Sequence, residues 1–272
     1  MFYRRKARTA AIALLAAGAL ALTGCAKSGG GSTASGVPLV AKDKLTVCVN
    51  TPYPPFQSKD SAGQIAGFDV DVMGLVAKKL GVTVSVVDTP FEGIKSGLDL
   101  KTGKCDVAAA GLTVDDERRK AMDFSDPYFD NTQGLVIRPG DAEVIKTADQ
   151  LKGRRVAVQG GTTGAQYANK LKVEKGFEVV EYSDFGLQQQ ALATKQVDAS
   201  IADLPVLTEY VRQNPNQISI IQQFDTGEKY AYAVKKGADP KLLGAVNDTL
   251  KAARADGSYA AIYEKWLGRK PS

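Results

Sequence analysis

No histidine occurs anywhere in the 272 residues. That absence removes His-based general acid–base chemistry, Ser-His-Asp and Cys-His nucleophile pairs, and histidine metal sites. Cysteine is nearly as scarce, at three residues (Cys25, Cys48 and Cys105), and no CxxC pair stands in for the missing imidazoles. No catalytic residue, cofactor or metal is expected from this inventory. A long basic run is also lacking, and with it the electrostatic footprint of a nucleic-acid binder. Beyond residue 25 there is no apolar run of the roughly 20 residues that a membrane span requires.

What is present at the start is a basic cluster (Arg4, Arg5, Lys6, Arg8), then AAIALLAAGALAL (10–22), then LTGC ending at Cys25. A basic start, a short apolar core and small residues before a cleavage point describe a secretory signal. LTGC resembles the lipobox of bacterial lipoproteins. The resemblance implies cleavage before Cys25 and a diacylglycerol on its thiol, so residues 1–25 are read as a lipoprotein signal peptide. Four cations and no acids leave with that segment, which takes the formal charge from +5 to near +1. The basic balance is therefore no sign of an acidic partner. AKSGGGSTASG (26–36) is small, polar and glycine-rich and buries too little to fold. Residues 26–40 are read as a flexible tether that lifts a folded body off a membrane.

In the rest of the chain, helical patterns alternate with short apolar runs. KLTVCV (44–49), 82–87 and 106–110 read as strands, with helices over 67–80 and 91–100. The same alternation returns as strands at 155–159, 177–182 and 197–202, with helices over 163–171, 185–195 and 204–213. Two further helices, 240–254 and 258–267, close the chain. Such alternation predicts an α/β fold with mostly parallel sheets. Two sets are visible, near 44–130 and 150–222, joined by the strand-like QGLVIR (133–138) and KYAYAVK (229–235). The expected bodies are lobe 1 (41–130), lobe 2 (131–228) and a return to lobe 1 (229–272). A cleft between two lobes is the usual place for a small ligand, and two linking strands form a hinge.

AAAGLTVDDERRKAMDFSDPYF (108–129) carries the most chemistry. Gly111 and Thr113 follow a strand, Asp115, Asp116 and Glu117 suit a helix start, and Arg118 and Arg119 come next. By itself this segment also fits a capped surface helix with a solvated charge run. Taken with NTPYPPF (50–56), GFDVDV (67–72), FSDPYF (124–129), VAVQGGTTG (156–164) and VDASIADL (197–204), it resembles the polar-amino-acid branch of the bacterial extracellular solute-binding proteins, family 3. The resemblance runs from about residue 44 to 267. It implies a type II periplasmic-binding-protein-like fold with a two-strand hinge, a free L-amino acid as ligand, and ABC permease and ATPase subunits as partners. The location implied is the extracytoplasmic face of a cell membrane, reached through the lipid anchor, with no nucleic acid involved.

The resemblance also assigns roles. Arg118 takes the position that grips an α-carboxylate, which a planar fork fits bidentately. Gly111 offers its carbonyl and Thr113 its amide and hydroxyl. Thr162 and Thr163 lie at a helix N-terminus facing the carboxylate. Asp203 takes the position of the acid that receives the α-ammonium, although by local sequence it reads as a helix N-cap. Tyr53 and Phe91 match the aromatic walls, and Asn50 and Gln159 face the ligand side chain. Neutral amides at both of the latter favour a neutral polar ligand such as glutamine, asparagine or cystine. Cys48 and Cys105 fall on neighbouring strands in such a fold and are a possible disulfide. Two rival readings share the fold: a cyclohexadienyl-dehydratase-like enzyme, and a ligand-sensing module for a separate signalling partner.

Overall fold

The computed structural model describes residues 31–32 and 36–271. The expected signal peptide (1–25), with Cys25, and most of the expected tether (26–40) lie outside the described residues. Ten strands build the two main sheets. They are β1 (Lys44–Val49), β2 (Thr83–Asp88), β3 (Val107–Ala108), β4 (Met122–Phe124), β5 (Phe129–Ile137), β6 (Arg155–Gln159), β7 (Glu178–Tyr182), β8 (Ala199–Asp203), β9 (Ser219–Tyr230) and β10 (Ala233–Lys235). The helices are α1 (Phe68–Leu80), α2 (Phe91–Lys95), α3 (Leu98–Lys101), α4 (Asp116–Ala121), α5 (Thr163–Lys175), α6 (Phe185–Ala193), α7 (Leu204–Gln213), α8 (Pro240–Asp256) and α9 (Ser258–Leu267).

Lobe 1 orders its strands β2-β1-β3-β10-β4 and lobe 2 orders them β7-β6-β8-β5-β9. In each sheet the first three strands are parallel, and the fourth runs antiparallel to both neighbours. The reversed strand is the one that has just arrived from the other lobe. The buried strands are apolar nearly throughout: Leu45, Val47, Cys48 and Val49 are fully enclosed in β1, as are Val156, Ala157 and Val158 in β6. That is the pattern expected of strands covered on both faces.

Several local expectations shift by physical causes. The helix expected over 91–100 is two short helices, because Gly97 adopts φ 71°, a left-handed conformation that ends α2 and opens α3. The strand expected over 229–235 is interrupted at residues 231–232, between the end of β9 and the start of β10. QGLVIR (133–138) lies mostly inside the lobe 2 sheet. The chain passes between the lobes at the adjoining pairs Phe129–Tyr230, Asp130–Lys229 and Asn131–Glu228. The last residues of the span expected as a tether belong to the folded body: Val37 and Leu39 are buried against lobe 1, and the Val40 amide donates to Asp106 at 2.7 Å.

Lobe 1 is reinforced twice. Helices α8 and α9 send Leu242, Val246, Leu250, Tyr259 and Tyr263 into the core that holds Val72, Val76 and Leu80 of α1. Cys48 and Cys105 form a disulfide, with Cα atoms 5.7 Å apart. Strand β1 pairs with β3, which begins two residues after Cys105, and this brings the two sulfurs together.

Candidate functional site

A small, nearly closed cavity lies between the lobes, lined by Asn50, Tyr53, Phe91, Gly111, Thr113, Arg118, Gln159, Thr162, Thr163 and Asp203, with Gln57 and Ala110. All ten positions singled out from the sequence therefore surround one space. From lobe 1 come the exit of β1 (Asn50, Tyr53), the start of α2 (Phe91), the loop from β3 into α4 (Gly111, Thr113) and the first turn of α4 (Arg118). Lobe 2 supplies the exit of β6 (Gln159), the start of α5 (Thr162, Thr163) and the last residue of β8 (Asp203). These are carboxyl ends of parallel strands, where open α/β sheets leave a crevice.

Arg118 is 5 % exposed. Its guanidinium donates to the Thr113 carbonyl at 2.6 Å and across the cleft to the Gly161 carbonyl at 3.2 Å. Asp115 lies 3.5 Å from its Nε, and the Phe91 ring sits 5.7 Å beneath its Cζ. Burial pulls the guanidinium below its usual value, while Asp115, Asp203 and Glu228 push it back up. Asp115 has a concrete role at this helix start: its carboxylate caps α4 by accepting from the Arg118 amide at 2.7 Å.

Asp203 is 4 % exposed and occupies the N-cap position of α7, yet its side chain makes no capping bond. It turns instead into the cleft and accepts from the Tyr53 and Tyr230 hydroxyls and from the Gln133 amide at 2.5 Å. Burial raises its carboxyl above the usual range and Glu228 adds to the rise, against the pull of those three donors. Burial likewise pushes both tyrosine hydroxyls well above 10, so they remain donors. Tyr53 thus carries a polar role beyond that of an aromatic wall.

Thr162 and Thr163 differ in use. The Thr162 hydroxyl caps α5, accepting from the Ala165 amide at 3.1 Å and donating to the Gln159 carbonyl at 2.8 Å. Thr163 instead points its hydroxyl at Glu228, 2.7 Å away. Across the cleft the Gln159 amide donates to the Asn50 carbonyl oxygen at 3.0 Å, and Asn50 donates to the Thr89 carbonyl at 3.0 Å. Gln57, 1 % exposed, donates to the Asn50 main-chain carbonyl at 3.3 Å and leaves its own carbonyl oxygen without a partner at the cavity. Gly111 has φ 55°, and a Cβ there would come within 2.8 Å of the Tyr53 ring. Its amide is held by the buried Asp69 carboxylate at 3.0 Å.

Four residues of this site escaped sequence reasoning: Gln57, Gln133, Tyr230 and Glu228. For Gln133 a signal existed, since a glutamine inside an apolar strand is rarely buried without a purpose. Glu228 stands just before the strand-like KYAYAVK (229–235), and no pattern around it marks it as a site residue. The assembled site offers one guanidinium and a carboxylate from opposite walls, aromatic sides, and an end lined by uncharged amides. Chemically it is a receptacle for a small zwitterion. Among the described residues no cluster of His, Cys, Asp or Glu suits a metal ion, and no helix is long and apolar enough to cross a membrane.

Comparison with known proteins agrees with this geometry. The family model of the bacterial extracellular solute-binding proteins, family 3, matches residues 45–269. A probable histidine-binding protein of Neisseria gonorrhoeae is 32% identical over 262 residues, covering 95% of both chains. The L-cystine-binding protein TcyJ of Escherichia coli (strain K12) is 32% identical over 224 residues, covering 82% of both. An ancestral arginine-binding protein has been solved bound to arginine and, separately, to glutamine. Both structures superpose with TM-score 0.78 at 40% identity, over 84% of this chain and 99% and 100% of theirs.

Proposed function

Because this chain belongs to the bacterial extracellular solute-binding proteins, family 3, we propose that it is the extracytoplasmic receptor of an ABC importer and that its interlobe cleft closes on a free L-amino acid. The observation that carries this reading is the placement of Arg118 and Asp203, nearly fully buried, on opposite lobes around one cavity. The ligand's carboxylate meets Arg118 and the free amides at the start of α5. Its ammonium meets Asp203 and the Gly111 carbonyl, and Tyr53 and Phe91 flank its aliphatic part. Each wall then holds a buried charge whose counter-charge the ligand brings, so closure depends on the ligand. The permease subunits read the closed shape, and the ATPase subunits act through the permease.

The side-chain end of the cavity favours a neutral polar ligand. Asn50, Gln57 and Gln159 present only amides, and the unpartnered Gln57 oxygen accepts from an amide or similar donor. Glutamine, asparagine and cystine fit this chemistry. A basic side chain would seek a carboxylate there, and none lines that end. A dehydratase on this fold needs a positioned proton donor for the leaving hydroxyl. Asp203 and Glu228 are instead surrounded by donors and act as acceptors, which favours binding over turnover.

A thermal-shift screen of the protein against free amino acids tests the reading. A ligand at 100 times its dissociation constant should add roughly 2.7 kcal/mol of stability. If no amino acid raises the unfolding midpoint, the reading fails. Anchoring through a lipidated Cys25 is a separate part of the proposal. Cys25→Ser should release the protein from the membrane fraction after a high-salt wash, and continued membrane partition would exclude the anchor.

A further inference from the structure

Glu228, on hinge strand β9, reaches both walls of the cleft. Its Oε2 accepts from Thr113 Oγ1 of lobe 1 at 3.0 Å and from Thr163 Oγ1 of lobe 2 at 2.7 Å. From the other hinge strand, Asn131 donates to it at 3.0 Å and Gln133 at 3.1 and 3.2 Å. The loop carrying Thr113 is pinned to the same strand by the Val114 amide, which donates to the Lys229 carbonyl at 2.9 Å.

We propose that Glu228 is a positioning residue that fixes the hydroxyl protons of Thr113 and Thr163 and so makes the cleft select a ligand carrying an ammonium, a role that rests on the amino-acid reading above. A hydroxyl has one proton to give. With both protons directed at Glu228, the two oxygens, 3.4 Å apart, can offer the cavity only lone pairs. Lone pairs attract an ammonium and repel a carboxylate. The ligand's carboxylate is then left to Arg118 and main-chain amides, and the hydroxyls join Asp203 on the ammonium side. The Gln133 amide supports this division, because one nitrogen donates to Asp203 at 2.5 Å and to Glu228 at 3.1 Å. It links the two carboxylates into a single negative patch.

Glu228→Gln keeps the shape but can place an NH₂ donor where the hydroxyl protons now point, turning a hydroxyl proton toward the ligand. The test is calorimetry on the detergent-solubilised full chain, using the tightest binder among the protein L-amino acids and L-cystine. Glu228→Gln should weaken binding by roughly tenfold or more, the scale of one charge-assisted hydrogen bond, in a chain whose single cooperative ligand-free unfolding transition shows that it still folds. In a Thr113→Val background the same change should cost less than about threefold, since one of its two targets is gone. Affinity in Glu228→Gln within about threefold of the unsubstituted chain overturns the proposal alone. An equal factor in both backgrounds also overturns it, since Glu228 would then act through the hinge. If the unsubstituted chain binds none of these ligands, the amino-acid reading falls together with it.

Discussion

Lobe 1 and lobe 2 follow the same strand plan, with the fourth strand reversed in each, yet only lobe 1 carries a cross-link and the two C-terminal helices. Their buried polar groups differ too. Beneath its cleft wall lobe 1 encloses a carboxyl, Asp69, which receives the Gly111 amide and the Tyr232 hydroxyl at 3.3 Å. Lobe 2 instead encloses amides: Gln188 and Gln189 both donate to Ser200 Oγ, at 2.8 and 3.0 Å. The binding charges divide in the same way. Arg118 has a carboxylate and a carbonyl within its own lobe and reaches across only to the Gly161 carbonyl, whereas Asp203 draws the Tyr53 hydroxyl from lobe 1 and the Tyr230 hydroxyl from the hinge. Shared topology therefore does not imply shared reinforcement. Lobe 1 acts as a braced frame, and lobe 2 completes its site only against that frame.

The largest effects should come from the charges that the two lobes contribute jointly. Arg118→Ala and Asp203→Asn should each cost roughly 2–5 kcal/mol of amino-acid affinity, as expected for removing one partner of a buried charge pair. Arg118→Lys should be nearly as damaging as Arg118→Ala, because the bidentate fork is lost. Calorimetry decides this, and near-normal affinity in Arg118→Ala would remove the clamp.

The cross-link should separate the lobes next. Replacing both Cys48 and Cys105 by Ala frees a loop spanning 57 positions, worth about 4 kcal/mol in the chain-entropy account. Hydrogen exchange should show the loss confined to lobe 1. Equal loss of protection in lobe 2 would break the frame comparison.

Acidity gives a third separation. Burial pushes the Asp69 carboxyl from 3.8 up to about 7, against the pull of the donors around it, the Gly111 amide and the Tyr232 hydroxyl. The fold therefore prefers neutral Asp69. Its stabilising contribution is full below about pH 4 and is lost as pH rises through 7, at up to about 1.4 kcal/mol per pH unit. Asp69→Asn should flatten that slope in denaturant unfolding between pH 5 and 7.5. An unaltered slope would place the titration elsewhere. The smallest effect expected is on selectivity: Asn50→Asp should raise arginine over glutamine by about tenfold, one charged hydrogen bond at the cavity end. Competition binding measures it, and an unchanged ratio would move the side-chain subsite away from Asn50.

Much of this was legible in the residues. Apolar runs placed β1 and β6, and the glycine stop of α1 stands at Gly81, φ 71°. Resemblance, not periodicity, brought Tyr53, Arg118 and Asp203 to one place. Local rules would have left Asp203 as a helix cap, and the structure shows it capping nothing. Glu228 was invisible because a single charge beside Gly227 and Lys229 carries no local pattern that points to a site. Only pairing of β9 with β5 turns that charge toward Asn131, and only the docking of the β3–α4 loop onto β9 gives it Thr113.

By itself the sequence determined the alternation of strands and helices, the helix caps and stops, and the kinds of groups available: guanidinium, carboxylates, amides and aromatics, without imidazole. Those properties come from sterics and periodicities that act within a few residues. Tertiary structure alone decided which groups share a cavity. Tyr53 meets Asp203 across 150 positions, Thr113 meets Glu228 across 115, and Cys48 meets Cys105 across 57. At such separations no local preference constrains the pair. Each contact exists because the two sheets and the strands that link them bring distant segments together.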